Sequence, residues 1–339
     1  MRRRSVRSLF ALGLISLVGL VHCSSAAPRS GFEEEEKPST TVQPTEPGDD
    51  GESAGFDGTS EPPPPADESV CTQDIDVVLV LDVSSSMGFV LTKLGSGIDG
   101  IVDAANELKS GAHFGLVAFS DNAAFGLGGS EAQGKVHTKA ASLKKAFSDF
   151  KSTYMDNDRN PGDGKSGPTR QNPLCEENSL DALHMAAAEF PWRDKAARII
   201  ILATDDTFLV APDNYGDRDG DGKTDKKDFP REGDYPAVHT VKDTVQAVKD
   251  ARARVFTITR IKPPGLLDAG KCGTGRRHSG DNASIAYGWS QPYDGEDPIP
   301  DQTDGKNFDL AEVQSNKLDL ADAINGIVLE THCAGDPPK

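Results

Sequence analysis

A doubly wound α/β domain, its mostly parallel sheet flanked by helices and interrupted by long acidic loops, is the fold this 339-residue sequence predicts. Three observations point there. Short, nearly continuous apolar runs recur at residues 75–82, 114–119, 196–203 and 255–261; this is the pattern of strands covered on both faces of a parallel sheet, whereas half-exposed strands alternate. Helical periodicity lies between the runs, and strands alternating with helices make a doubly wound sheet. Two of the runs also close on acids and hydroxyls, IDVVLVLDVSSSMG at 75–88 and AARIIILATDD at 196–206. Open α/β sheets bind ligands beyond the carboxyl ends of their strands.

The elements follow in order. After the first run, Val90, Leu94, Ile98, Ile101, Ala105 and Leu108 step by three and four and line one helix face, despite the propensity cost of Gly95, Gly97 and Gly100. Similar faces run through 140–150, 180–190, 238–248 and 318–329, and residues 307–313 read as a last short strand. Only one set of α/β elements is visible between Cys71 and Cys333, so a single domain is expected over 71–335. It carries Gly-, Pro- and Asp-rich insertions near 155–174, 208–236 and 262–300, and loops that long are functional or disordered more often than not. The first two leave the sheet at the edge holding the acids and are expected to form its rim.

Asp82, Ser84 and Ser86 place three oxygen side chains two residues apart where a hydrophobic strand gives out. Hard divalent cations such as Mg²⁺ and Ca²⁺ take oxygen ligands. Asp and Ser also crowd ordinary turns and caps, so the preceding strand gives the pattern its weight. With that strand, Asp82-Val83-Ser84-Ser85-Ser86 resembles the metal-ion-dependent adhesion site of the von Willebrand factor A (VWA) domain, which has a Rossmann-like fold. The resemblance implies that Ser84 and Ser86 bind the metal directly, with Asp82 and Asp205 holding its coordinated waters. Asp205 follows Thr204 in the position of the family's Thr-Asp-Gly-like turn, with Asp206 replacing the Gly. The third loop departs from the family's Gly-Gly-Thr-Asn-Thr-Gly-x-Ala-Leu. Counting back from Ala182-Leu183 puts Glu177 where the first Thr ligates the metal, and some relatives carry an acid there. Either Glu177 coordinates, so that three carboxylates neutralise the cation and weaken its pull on an acidic partner, or Ser179 supplies a hydroxyl and Glu177 caps the helix beginning near Ser179. Mg²⁺ and Ca²⁺ both remain open. An ion pair burying Asp82 or Asp205 against Lys or Arg would count against the metal.

A second metal signal lies in an insertion. Residues 217–228, DRDGDGKTDKKD, carry Asp217, Asp219, Asp221, Asp225 and Asp228 at loop positions one, three, five, nine and twelve, with Gly222 at six and the Lys223 carbonyl at seven. This is the spacing by which an EF-hand-like or dockerin-like loop wraps Ca²⁺. Asp228 replaces the usual Glu and no convincing helix flanks the loop, so a solvated acidic loop is the alternative. Asp156, Asn157, Asp158, Asn160 and Asp163 lack the full spacing and read as a polar loop.

At the N-terminus, Arg2, Arg3, Arg4 and Arg7 precede an apolar stretch at 9–21 that suits a secretory signal over 1–23. Leu20-Val21-His22-Cys23 resembles a lipobox, with His22 where a small residue is usual, so Cys23 is the expected lipidation site; cleavage near Ala26 is the alternative. Residues 24–70 are acidic and Pro-rich, too poor in apolar surface to order themselves, and suit a tether. The expected location is the cell envelope, at the surface or in the periplasm. A net charge of −18 with no basic patch argues against nucleic acid or an anionic membrane surface as partner. In an oxidising compartment Cys71, Cys175, Cys272 and Cys333 form an even set. Cys71–Cys333 would close the domain ends and Cys175–Cys272 would staple the Glu177 loop to the last insertion. The leading function is a VWA module that binds a protein or polymer through a divalent cation. A calcium- and disulfide-stabilised scaffold with an inactive adhesion site is the second. A serine hydrolase using Ser84 or Ser86 is remote, since no Gly-x-Ser-x-Gly elbow occurs and His113, His184 and His278 have no motif around them. No enzyme is expected.

Overall fold

Every side chain of the first strand, β1 (Asp74–Asp82), is buried from Ile75 onward, because helices cover both faces of the sheet at its centre. The computed structural model describes residues 73–161, 171, 176–210, 238–261, 286–293 and 295–334. All belong to the second of the chain's two units, Pro65–Lys339. The signal, the tether, Cys23, Cys71, Cys175, Cys272, His278 and the 217–228 loop lie outside the described residues.

After β1 come α1 (Gly88–Leu108), β2 (His113–Phe119), β3 (Ala123–Phe125), α2 (Ala140–Phe150), α3 (Ser179–Glu189), β4 (Ala196–Ala203), α4 (Val241–Asp250), β5 (Arg254–Thr259), α5 (Ile299–Gln302), β6 (Asn307–Asp309), α6 (Leu310–Gln314) and α7 (Leu320–Thr331). The six strands form one sheet in the order β3-β2-β1-β4-β5-β6, parallel except for the edge strand β3. The chain winds outward from β1 through β2 and then returns to the other side of β1 at β4, which makes the β1/β4 boundary the topological switch point.

Alternation within β1 divides the core in two. Ile75, Val77, Leu79 and Leu81 face a layer with α1, α2, α6 and α7, and Val78 and Val80 face α3, α4 and Trp289. The glycines that weaken α1 permit its packing: a Cβ at Gly95 would meet the Phe147 ring of α2 at 3.0 Å, and one at Gly97 would meet Ala321 of α7 at 2.9 Å. Close helix approach on two sides compensates for the lost propensity.

One expectation needs correction. Residues 307–313 are strand only to Asp309; the Asp309 carboxylate then accepts from the Ala311 amide and opens α6. The last part of the 262–300 insertion belongs to the core. Trp289 and Ile299 are fully buried, and Trp289 and Tyr293 meet Phe208 edge to face. The edge strand β3 has no counterpart in the sequence reading, since three residues are too short for a periodicity to register.

The amino end of the sheet carries its own polar anchor. Asp76 is fully buried and accepts from the Arg193 amide at 2.7 Å and from its guanidinium at 2.7 and 2.6 Å. Burial still outweighs these contacts and raises the Asp76 carboxyl above its ordinary value. Removing one partner of a buried pair strands the other. Arg193→Ala should therefore destabilise the fold by about 3 kcal/mol in denaturant titrations. Six residues of extended strand, about 20 Å, separate Asp76 from Asp82, so any metal-dependent rise in melting temperature should keep its size in this variant.

Candidate metal centre at the carboxyl edge of the sheet

Asp82 is the last residue of β1 and is fully buried. Both its carboxylate oxygens are engaged: Oδ1 accepts from the Ser84 amide at 2.7 Å and Oδ2 from the Thr204 hydroxyl at 2.7 Å. Because Thr204 directly follows β4, this second bond ties the ends of the two central strands together across the switch point. Beyond Asp82 the chain turns through a short 3-10 segment, Ser85–Met87, into α1, which leaves Ser84 nearly buried and Ser86 exposed above it.

The hydroxyls and the second acid form a chain. Ser86 Oγ donates to Asp205 Oδ1 at 2.8 Å, and the two serine oxygens lie 2.9 Å apart. With the Ser86 proton directed at Asp205, Ser84 is left as donor between the serines. Asp82, Ser84, Ser86 and Asp205 thus converge at one place. Among the described residues no three or more His, Cys, Asp or Glu side chains are arranged to hold a metal by themselves, so direct coordination here would fall to hydroxyls, with the acids around them. An all-oxygen set suits Mg²⁺ or Ca²⁺.

Glu177 lies within electrostatic reach of this group. Its carboxylate is buried and accepts from the Ser120 hydroxyl at 2.9 Å, and its backbone exchanges hydrogen bonds with Thr207 and Leu209 of the loop after β4. It does not cap α3, whose N-cap residue, Asn178, makes no side-chain capping bond. Ser179 is buried at the first turn of α3 and its hydroxyl has no hydrogen-bond partner among the described residues.

Buried negative charge accumulates here. Burial, followed by the charge of Asp205, pushes the Asp82 carboxyl up to about 7, against the opposing hydrogen bonds from Ser84 and Thr204. Burial also raises Glu177 well above the usual carboxylate range, helped by the charges of Asp82 and Asp121. One cation does approach: the Arg260 guanidinium lies 3.7 Å from Asp205 Oδ2. This ion pair runs against the expectation that neither acid meets Lys or Arg. At 3.7 Å it is too long for a hydrogen bond, and it leaves Asp205 Oδ1 to Ser86.

Four participants escaped the sequence reading. Ser120 and Asp121 follow β2 in the string FGLVAFSD, an apolar run closing on a hydroxyl and an acid, which is the same signal that marked β1 and β4. Thr204 was read only as the neighbour of Asp205, and Arg260 carries no motif. A hydrolase finds no support in these contacts. Among the described residues neither Ser84 nor Ser86 touches an imidazole: His113 sits 3.9 Å from Asp76 at the opposite end of the sheet, and His184 stacks on His239 at 3.6 Å.

No protein-family model matches the chain, and no curated protein sequence matches it. Solved structures with a similar fold include proximal thread matrix protein 1 from the mussel byssus, at 14% identity over 78% of this chain and 49% of that one, TM-score 0.39. BatB from Bacteroides thetaiotaomicron is similar at 15% identity over 76% of this chain and 98% of that one, TM-score 0.38. A von Willebrand factor type A structure from Catenulispora acidiphila is similar at 14% identity over 77% of this chain and 43% of that one, TM-score 0.38. The chain spans about half the length of the mussel protein.

Raised carboxyl values have a definite consequence for stability. The folded state holds protons on Asp82 and Glu177 more tightly than the unfolded chain does, so their contribution is fully present below the unfolded values, near 4, and is lost as pH rises through the folded ones, about 7 for Asp82. In chelator, the melting temperature should fall across that window. Asp82→Asn should flatten the fall, and an unchanged slope would show that Asp82 does not titrate there.

Proposed function

We propose that this chain is an exported VWA-type module that binds a protein or polymer partner through a divalent cation, Mg²⁺ or Ca²⁺. The observation that carries the proposal is the convergence of Asp82, Ser84, Ser86 and Asp205 at the switch point of the sheet. Ser84 and Ser86 would hold the cation directly, Asp82 and Asp205 would hold its waters, and Glu177 would complete the third loop. The cation would supply an open coordination position for an acidic group of the partner. In this reading the chain is not an enzyme.

The remaining parts fit an envelope protein. The 1–23 segment is proposed as a lipoprotein signal with Cys23 lipidated, and residues 24–70 as the tether that carries the 71–335 domain away from the membrane. Among the described residues no helix is long and apolar enough to cross a membrane. The Cys333 amide donates to the side chain of Gln73, two residues beyond Cys71. That proximity supports Cys71–Cys333; Cys175–Cys272 is proposed as the second bridge. The 217–228 loop is proposed to bind Ca²⁺ through Asp217, Asp219, Asp221, the Lys223 carbonyl, Asp225 and Asp228.

The Arg260 ion pair and the mutual hydrogen bonds of the serines favour one competing reading, a calcium- and disulfide-stabilised scaffold whose adhesion site is inactive. Capture experiments separate the two. The leading function requires a partner retained from envelope extract in Mg²⁺ or Ca²⁺ and released by chelator, with retention lost in Ser84→Ala; chelator-insensitive retention supports the scaffold.

Two further outcomes are expected. A ligand that binds only the folded state stabilises it by about 2.7 kcal/mol at a hundredfold excess over Kd, so Ca²⁺ should raise the melting temperature; Asp217→Ala with Asp219→Ala should remove most of the shift that survives in Ser84→Ala. In calorimetry on a chain with that loop disabled, Glu177→Thr should weaken metal binding while strengthening metal-dependent capture of a carboxylate-bearing partner. Equal metal affinity in both chains would exclude Glu177 and favour Ser179.

A further inference from the structure

Arg260 directly follows β5, and β5 runs parallel to β1 and β4, so this guanidinium emerges at the same edge of the sheet as Asp82 and Asp205. Its side chain is 20% exposed and that of Asp205 12%. The 3.7 Å approach to Asp205 Oδ2 is its one ion pair among the described residues, and no hydrogen bond fixes it there. Asp205 Oδ1 meanwhile accepts from Ser86. Arg260 is thus a positive charge at the edge of the site, beside the Asp205 oxygen that Ser86 leaves over.

The charge count explains why such a residue matters. Asp82, Glu177 and Asp205, with Asp121 and Asp206 close to Glu177, bring more negative charge to this place than a divalent cation would offset. The remaining negative charge would repel the acidic group of a partner. A guanidinium beside Asp205 offsets one unit of it. Arg is suited to a second task as well, since its planar fork matches a carboxylate in two-point contact.

We propose that Arg260 is the charge-balancing residue of this metal centre, weakening the cation's own binding while enabling the centre to accept a carboxylate-bearing partner, whose second oxygen the guanidinium then takes. The proposal rests on the metal-binding reading above. It also changes the meaning of Glu177: the third carboxylate need not disable capture of an acidic ligand when an arginine stands on the other side of the site.

The test uses the full chain, Arg260→Gln and Arg260→Lys, with Ser84→Ala identifying the heat that belongs to this centre. Calorimetry with Mg²⁺ alone should show about tenfold tighter binding in Arg260→Gln, the size expected for removing one nearby unit charge at a solvent-touching site. Chelator-sensitive retention on carboxymethyl dextran should fall severalfold in the same variant, and Arg260→Lys should hold near-normal Mg²⁺ affinity while recovering only part of the retention. Mg²⁺ bound equally by the parent chain and Arg260→Gln would overturn the proposal and leave the metal centre standing, as would retention that is absent or equal in both. Mg²⁺ heat that is missing, or that survives intact in Ser84→Ala, would overturn the metal centre and this inference with it.

Discussion

The buried carboxylate of Asp82 joins the two central strands and sets the geometry of everything above them. One oxygen takes the Ser84 amide and so fixes the turn from β1 into α1; the other takes the Thr204 hydroxyl and so fixes the start of the loop after β4. These two loops carry Ser86 and Asp205, which meet at 2.8 Å. An acid without water around it needs such partners, because burying an unpaired charge is costly. Even with them the carboxyl is pushed up to about 7. The strain of the arrangement is electrostatic, and a cation would relieve it.

The loop after β4 is held from the opposite side by apolar packing. Phe208 pairs with Glu177 in a short parallel bridge and receives Trp289 and Tyr293 edge to face, and the Trp289 indole donates to the Asp206 carbonyl. Gly288 makes the approach possible: its φ is +78°, and a Cβ there would lie 2.1 Å from the Phe208 ring. The segment ahead of α5 therefore acts as a clamp on the loop that carries Asp205. Positioning by rigid neighbours is what a coordination site requires, because ligand oxygens must stay put when the cation arrives.

The two ends of β1 treat buried acid differently. Asp76 has an arginine at hydrogen-bond distance; at Asp82 an amide and a hydroxyl substitute, and among the described residues a guanidinium reaches its neighbour Asp205 at 3.7 Å. A satisfied ion pair holds structure together. Carboxylates satisfied by neutral donors remain able to attract a cation, which is why the carboxyl end of the sheet is the better candidate for function.

Much of this was legible in the chain. Continuous apolar runs identified four of the six strands, because strands covered on both faces need no polar side, and 3.6-residue periodicity identified the five longest helices. Asp82, Ser84, Ser86 and Asp205 were readable because each sits directly after an apolar run, so local order placed them at strand ends. The sequence by itself thus determined the layers and the edge on which the polar residues gather. Tertiary structure alone decided the partners. Thr204 meets Asp82 across 122 residues and Ser120 meets Glu177 across 57, while Arg260 reaches Asp205 from a third strand. Such contacts depend on strand order and register, which bring distant residues within 3 to 4 Å without leaving a pattern along the chain.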